Sequence, residues 1–172
     1  EVVTPLLPPS PEVFSPALRH GRPVSDGRRR RIVSIGPFID RYSFRELSDV
    51  VDRMRGDGRD LELVLIETGF ARDEAFAERV LRGRDWITVL RGLSDRELAD
   101  EMRRADVFVR GLKDDSFGIA RIEALWAGTP VVGTDGPGAE TRGNFAFEPG
   151  NEDDLERQLE AALDGADPAE IE

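Results

Sequence analysis

At 172 residues, with 39% hydrophobic and 34% charged side chains, the chain is long enough for one domain with a sizeable core and tight for two. Its net charge of −11, from 35 acids against 24 bases, argues against nucleic acid or an anionic membrane as a partner of the whole surface. No Cys and a single His, His20, exclude disulfides and thiolate chemistry and argue against an all-protein zinc site. Lys113 is the one lysine beside 23 arginines, and a Lys-poor, acid-rich composition suits a salt-adapted, halophilic chain; a high-GC genome would explain the arginine bias but not the acid excess. No apolar run approaches the roughly 18 to 20 residues that span a bilayer, and the start lacks the basic and apolar regions of a signal peptide, so the expected location is cytoplasmic. The chain opens on Glu1 rather than Met, and the expectation is a piece of something longer.

Residues 1–30 read as an interdomain linker and Pro-rich lead-in. Pro5, Pro8, Pro9, Pro11, Pro16 and Pro23 with Gly21 and Gly27 oppose both helix and central strand. The run Arg28 to Arg31 is expected to be a solvated edge, and His20 to be outside any catalysis. From residue 31 short apolar runs alternate with amphipathic stretches, the period of repeated βα units. The pattern predicts strands at 31–35, 61–66, 86–90, 107–109, 130–133 and 144–147, with helices at 43–55, 73–81, 94–104, 117–127 and 152–163. Ser94 with Glu97 forms a capping box, and Asn151 before Glu152, Asp153 and Asp154 reads as an N-cap. The fold class is therefore α/β, a Rossmann-like three-layer domain over 31–164 with a central parallel sheet of about six strands and an acidic tail at 165–172.

Ligands of such sheets lie outside the carboxyl ends of the strands, which directs attention to three loops. The first holds Gly36, Arg41 and Tyr42, where a strand-end glycine admits close backbone approach and the next helix can receive an anion. An ordinary βα turn accounts for it equally well. The second runs from Lys113 to Gly118 and into a helix carrying Glu123, so that Asp115 and Glu123 could flank one pocket at different depths. A carboxylate buried in a helix reading Ile119, Ile122, Leu125 and Trp126 needs hydrogen-bond donors, and sugar hydroxyls are donors; the alternative is a helix-start acid and a surface glutamate. The third, Thr134 to Gly138, is a turn by composition. Neither the dinucleotide order Gly-x-Gly-x-x-Gly nor a Gly-Lys-Ser/Thr phosphate loop occurs.

The string from Asp115 to Asp135, DSFGIARIEALWAGTPVVGTD, resembles the signature of retaining GT-B glycosyltransferases of glycosyltransferase family 4, E-G-F-G-x-x-x-x-E-A-x-A-x-G-x-P-V-V. Asp115 takes the first acid, Phe117 and Gly118 the Phe-Gly, and Glu123 the second acid, while Ser116 and Trp126 depart from the pattern. Further segments, among them RIVSIGPF and FEPGNEDDLERQLEAAL, extend the likeness over nearly the whole chain as the C-terminal, donor-binding half. The resemblance implies a nucleotide-diphosphate sugar as donor substrate, with no separate cofactor and no metal. It makes Asp115 the catalytic residue and puts donor ribose on Glu123, hexose and diphosphate on Asp115 and the backbone from Phe117 through Gly118 to Ile119, and further donor contacts on Gly36, Arg41 and Tyr42.

The family's usual Arg and Lys are replaced by Pro37 and Tyr42, leaving Arg41 one residue off register and Arg110 and Arg121 as candidates to compensate. The resemblance also implies a glycan or lipid-linked acceptor held by an N-terminal domain not in this chain, any peripheral membrane contact falling to that domain, and no nucleic acid. Two alternatives stay open: a non-catalytic nucleotide- or sugar-binding module that kept the fold, and another GT-B enzyme such as a nucleotide-sugar epimerase.

Self-repulsion at −11 is relieved by screening. Melting followed across increasing KCl should shift upward, and a flat or falling melting temperature would leave genome bias as the explanation of the composition.

Overall fold

The computed structural model describes residues 11–14, 29–112, 118–134 and 144–165. Among them six strands alternate with helices: α1 (Pro11–Phe14), β1 (Arg30–Phe38), α2 (Phe44–Gly56), β2 (Leu61–Arg72), α3 (Glu74–Leu81), β3 (Ile87–Arg91), α4 (Asp95–Arg104), β4 (Val107–Arg110), α5 (Ile119–Trp126), β5 (Val131–Thr134), β6 (Asn144–Phe147) and α6 (Glu152–Leu163). The strands form one parallel sheet in the order β3-β2-β1-β4-β5-β6. This is the expected Rossmann-like α/β class. The chain works outward from β1 to β3, then returns to lie on the other side of β1, so the order reverses between β1 and β4.

Alternation along the strands builds two cores. Ile32, Leu63, Leu65, Val107 and Val109 join residues of α2, α3 and α6 on one face. Val33, Val64, Ile66 and Phe108 join α4, α5 and α1 on the other. Both faces of the central strands are covered, which is why LVLI at 63–66 is apolar without interruption.

The predicted caps form. Ser94 and Glu97 make a reciprocal capping box on α4, and the Asn151 side chain accepts from the Asp154 N–H at α6. The expectation that the lead-in holds no helix is corrected at α1: Pro11 sits at the first helical position, where its missing N–H costs nothing, and Phe14 is buried against the α4/α5 core.

The first two strands also run past their predicted ends. β1 continues through Gly36 and Pro37 to Phe38, with a register irregularity between Gly36 and Phe38 that leaves β2 pairing again at Arg72. Pro37 donates no ladder hydrogen bond and is tolerated at that irregularity. Of the basic run, Arg28 lies outside the described residues and Arg29 is exposed as expected, but Arg30 and Arg31 are partly buried rather than a solvated edge. Arg29 pairs with Asp60, Arg30 with Asp106, and Arg31 with Glu62 and Glu101, tying the start of β1 to its neighbours.

Asp106 is the most buried acid of that group at 8% exposed, accepting from the Arg31 backbone N–H at 2.7 Å and from Arg30 Nη1 at 3.2 Å. Asp106→Ala strands both donors and should cost about 1–3 kcal/mol in urea unfolding. A loss well under that range would mean that water replaces the carboxylate.

Candidate functional site

The reversal between β1 and β4 opens the crevice in which ligands of open α/β sheets bind. Three of the residues that form it are glycines against which side chains pack. A Cβ on Gly36 would lie 2.2 Å from Cδ1 of Tyr42, one on Gly111 2.7 Å from the Cβ of Ser43, and one on Gly118 2.9 Å from Nε of Arg110. Gly118 also has φ +56, the left-handed conformation that favours glycine. The bare surface of Gly36 is therefore covered by the Tyr42 ring.

Arg110, last residue of β4, lies over that ring with its guanidinium carbon 5.2 Å from the centroid. Its Nη1 donates to the Ile35 carbonyl at 3.3 Å, and its Nε is buried without an acceptor. Burial depresses its pKa most, the Tyr42 hydroxyl works the other way, and nearby Arg41 depresses it further. The net direction is down from the ordinary guanidinium value.

Beyond Gly118 the helix α5 starts with no side-chain cap and no acid in its first turn. Ile119 and Trp126 are exposed, at 41% and 36%, while Arg121 and Ala124 are buried, so this helix carries apolar residues on its outer face too, unlike the buried reading of its sequence. Glu123 is half-buried, and its carboxylate accepts no hydrogen bond from the described residues. Burial first, and the negative charge of Asp95 second, raise its pKa above the usual carboxylate value.

Gly36, Arg41, Tyr42, Gly118, Ile119 and Glu123 thus stand on the two loops and the helix that flank the switch point, while Asp115 and Phe117 lie outside the described residues. Arg121 is 3% exposed and donates to the Thr134 carbonyl at 3.1 Å, joining α5 to the end of β5. Asp95 was not legible as a site residue, since in sequence it is only a first-turn acid of α4; the topology puts the start of that helix on the ligand side of the sheet. Elsewhere on that side the charges are already paired. Burial opposes the charge of Glu67, yet hydrogen bonds from Arg72 at 2.7 Å and Arg91 at 2.5 Å hold its pKa below the ordinary range. An open cleft of about 480 Å³ at the turn before α6, lined by Glu148 to Asp153, is acidic and unsuited to a phosphate. Among the described residues no group of three or more His, Cys, Asp or Glu side chains could hold a metal ion, and no helix is long and apolar enough to cross a membrane.

The family model for glycosyl transferases group 1 matches residues 29–165. The chain belongs to that family. Among solved structures, this group 1 chain is similar to a glycosyltransferase from Rickettsia africae ESF-5, with TM-score 0.72 and 18% identity over 92% of this chain and 46% of that one. It is similar to the sucrose-phosphate synthase of Thermosynechococcus elongatus, with TM-score 0.67 and 20% identity over 86% and 38%. It also resembles a UDP-forming α,α-trehalose-phosphate synthase from Burkholderia xenovorans, described in complex with glucose-6-phosphate, with TM-score 0.63 and 19% identity over 80% and 36%. At these identities the likeness establishes the fold. The group 1 chain spans less than half the length of each of these proteins. No curated protein matches it in sequence.

The raised pKa of Glu123 has a definite sign in stability. The folded chain holds that proton more tightly than the unfolded one, so the carboxylate costs stability above its raised pKa and costs nothing once pH falls below the unfolded value. Glu123→Gln should therefore raise the melting temperature at neutral pH by a margin that closes on acidification. An equal margin at every pH would mean that ionisation is not its cause.

Proposed function

We propose that this chain is the donor-binding, C-terminal half of a retaining GT-B glycosyltransferase of family 4, which transfers a hexose from a nucleotide sugar to a glycan or glycolipid acceptor. The observation that carries the reading is Glu123: a half-buried carboxylate, without a hydrogen-bond donor among the described residues, on the helix beside the switch point. Burial of an acceptor in that state is costly, and a pair of ribose hydroxyls supplies the missing donors. Family membership, and the UDP-forming description of one structural neighbour, favour a nucleoside diphosphate sugar over other polyols.

Each residue then has a task. Glu123 accepts from the ribose hydroxyls, and Asp115 meets the transferred hexose. The unopposed N–H groups at the start of α5, reached closely across Gly118, donate to the diphosphate as it takes on charge. Transfer proceeds on one face of the sugar with retention, and the departing diphosphate is neutralised by donors and guanidinium rather than by a bound cation. The acceptor is held by a second domain, and orientation of two reactants supplies as much as roughly 7 to 11 kcal/mol of the barrier. The 172-residue chain alone should therefore bind a donor and transfer nothing.

A second reading, a binding module without transferase activity, is favoured by Pro37 and Tyr42 standing where the family pattern has its basic residues.

Both readings require donor binding, which calorimetry with nucleoside diphosphate sugars measures. Glu123→Gln should weaken it by roughly 1.5 to 3 kcal/mol, the range for a hydrogen bond to a charged group. Unchanged affinity rejects the assignment. Donor turnover by the longer protein separates enzyme from module.

A further inference from the structure

Arg110 differs from most arginines of the chain, since only a few described ones, among them Arg55 and Arg79, also show no carboxylate partner and neither of those faces a second arginine. Arg29, Arg30, Arg31, Arg53, Arg59, Arg72, Arg84 and Arg91 each pair with at least one carboxylate. Arg110 is mostly buried, and what faces it is a carbonyl, an aromatic ring and its hydroxyl, a second arginine and a glycine. No described carboxylate pairs with it. Its Nε reaches Gly118 at the start of α5, so a cation is held against the positive end of a helix dipole. Two positive features pressed together with Arg41 close by form an arrangement that folding alone would not favour. An anion seated between them would relieve both.

We infer that Arg110, held in place by the Tyr42 ring, is the cation that receives the diphosphate of the donor, supplying from β4 a positive charge that Pro37 and Tyr42 of the β1 loop do not. The inference rests on the nucleotide-sugar reading only for the name of the anion. The geometry itself specifies a small polyanion reached by the guanidinium fork and the first N–H groups of α5. Tyr42 acts as a positioning residue. Its ring lies between Gly36 and the guanidinium, so that the side chain standing where a family lysine would be carries no charge itself and fixes one on the neighbouring strand.

The test is calorimetry of the 172-residue chain with inorganic pyrophosphate, UDP and uridine at constant ionic strength. Arg110→Gln should weaken pyrophosphate and UDP at least tenfold. Arg82→Gln, an exposed change at the far end of α3, should leave both within twofold. Pyrophosphate affinity within twofold of wild type in Arg110→Gln overturns the proposal. If that variant does not fold, the wild type still decides. The Nε–H resonance missing from the spectrum of Arg110→Lys should move on addition of pyrophosphate, and an unmoved resonance at saturation overturns the inference. Glu123→Gln distinguishes this failure from failure of the underlying reading: it should weaken UDP and uridine but not pyrophosphate. Loss of pyrophosphate binding in Arg110→Gln, with UDP binding no better than pyrophosphate and indifferent to Glu123, would keep the anion seat and discard the nucleotide.

Discussion

Every group in this molecule with ligand chemistry depends on β1 and β4 lying side by side as neighbours that are not successive in sequence. Where two adjacent parallel strands send their chains to opposite sides, the loops that follow diverge and leave a crevice between them. Here the divergence is limited by contacts: Ser43 on Gly111 and the Arg110 guanidinium over Tyr42 join the two loops, while Tyr42 on Gly36 and Arg110 on Gly118 shape each side by itself. Each glycine contact needs a residue with no side chain on one partner. The apolar cores above and below the sheet hold β1 and β4 in register, and the interlocking glycines set the detail on top of that.

Charge is distributed in two ways. Over most of the surface, acids and arginines form short networks such as Arg53 with Glu152 and Glu156, or Arg59 with Glu160 and Asp164, which join α2 and its following turn to α6. Such exposed pairs contribute little individually and weaken in salt. At the switch point the opposite holds: among the described residues Glu123 accepts no hydrogen bond and Arg110 meets no carboxylate. Unsatisfied groups also occur elsewhere, as at Arg31 Nε and Arg103 Nε, but those on the ligand side are where a ligand could supply the missing partners.

The alternation of strands and helices was legible because each element carries its own period, and the helix starts were legible where Ser94 and Asn151 cap them. Strand ends were less so. Gly36-Pro37 reads as a break, whereas β1 runs on through it because Phe38 is buried and pairs with Arg72 beyond an irregularity in register. Within the Pro-rich lead-in, α1 was hidden because four residues show no period; only the pocket that takes Phe14 makes it. For the site, motif spacing singled out Glu123 and Gly118. The stacking of Arg110 on Tyr42, and of Tyr42 on Gly36, joins residues 36, 42 and 110, and no local pattern encodes such a contact. Asp95 was illegible for the same reason.

The start of α5 and Glu123 are four residues apart on one helix, about 6 Å along its axis. At one end the groups donate hydrogen bonds and carry positive charge; at the other a carboxylate accepts them, with Asp95 adding to its negative field. The crevice is therefore a vector. A molecule with hydroxyls at one end and phosphates at the other fits it in a single direction, since turning it round would set phosphate against carboxylate. On the donor-binding reading proposed above, orientation is read before any contact to a sugar ring or base, by Arg110 on β4 with the start of α5 at one end and Glu123 at the other.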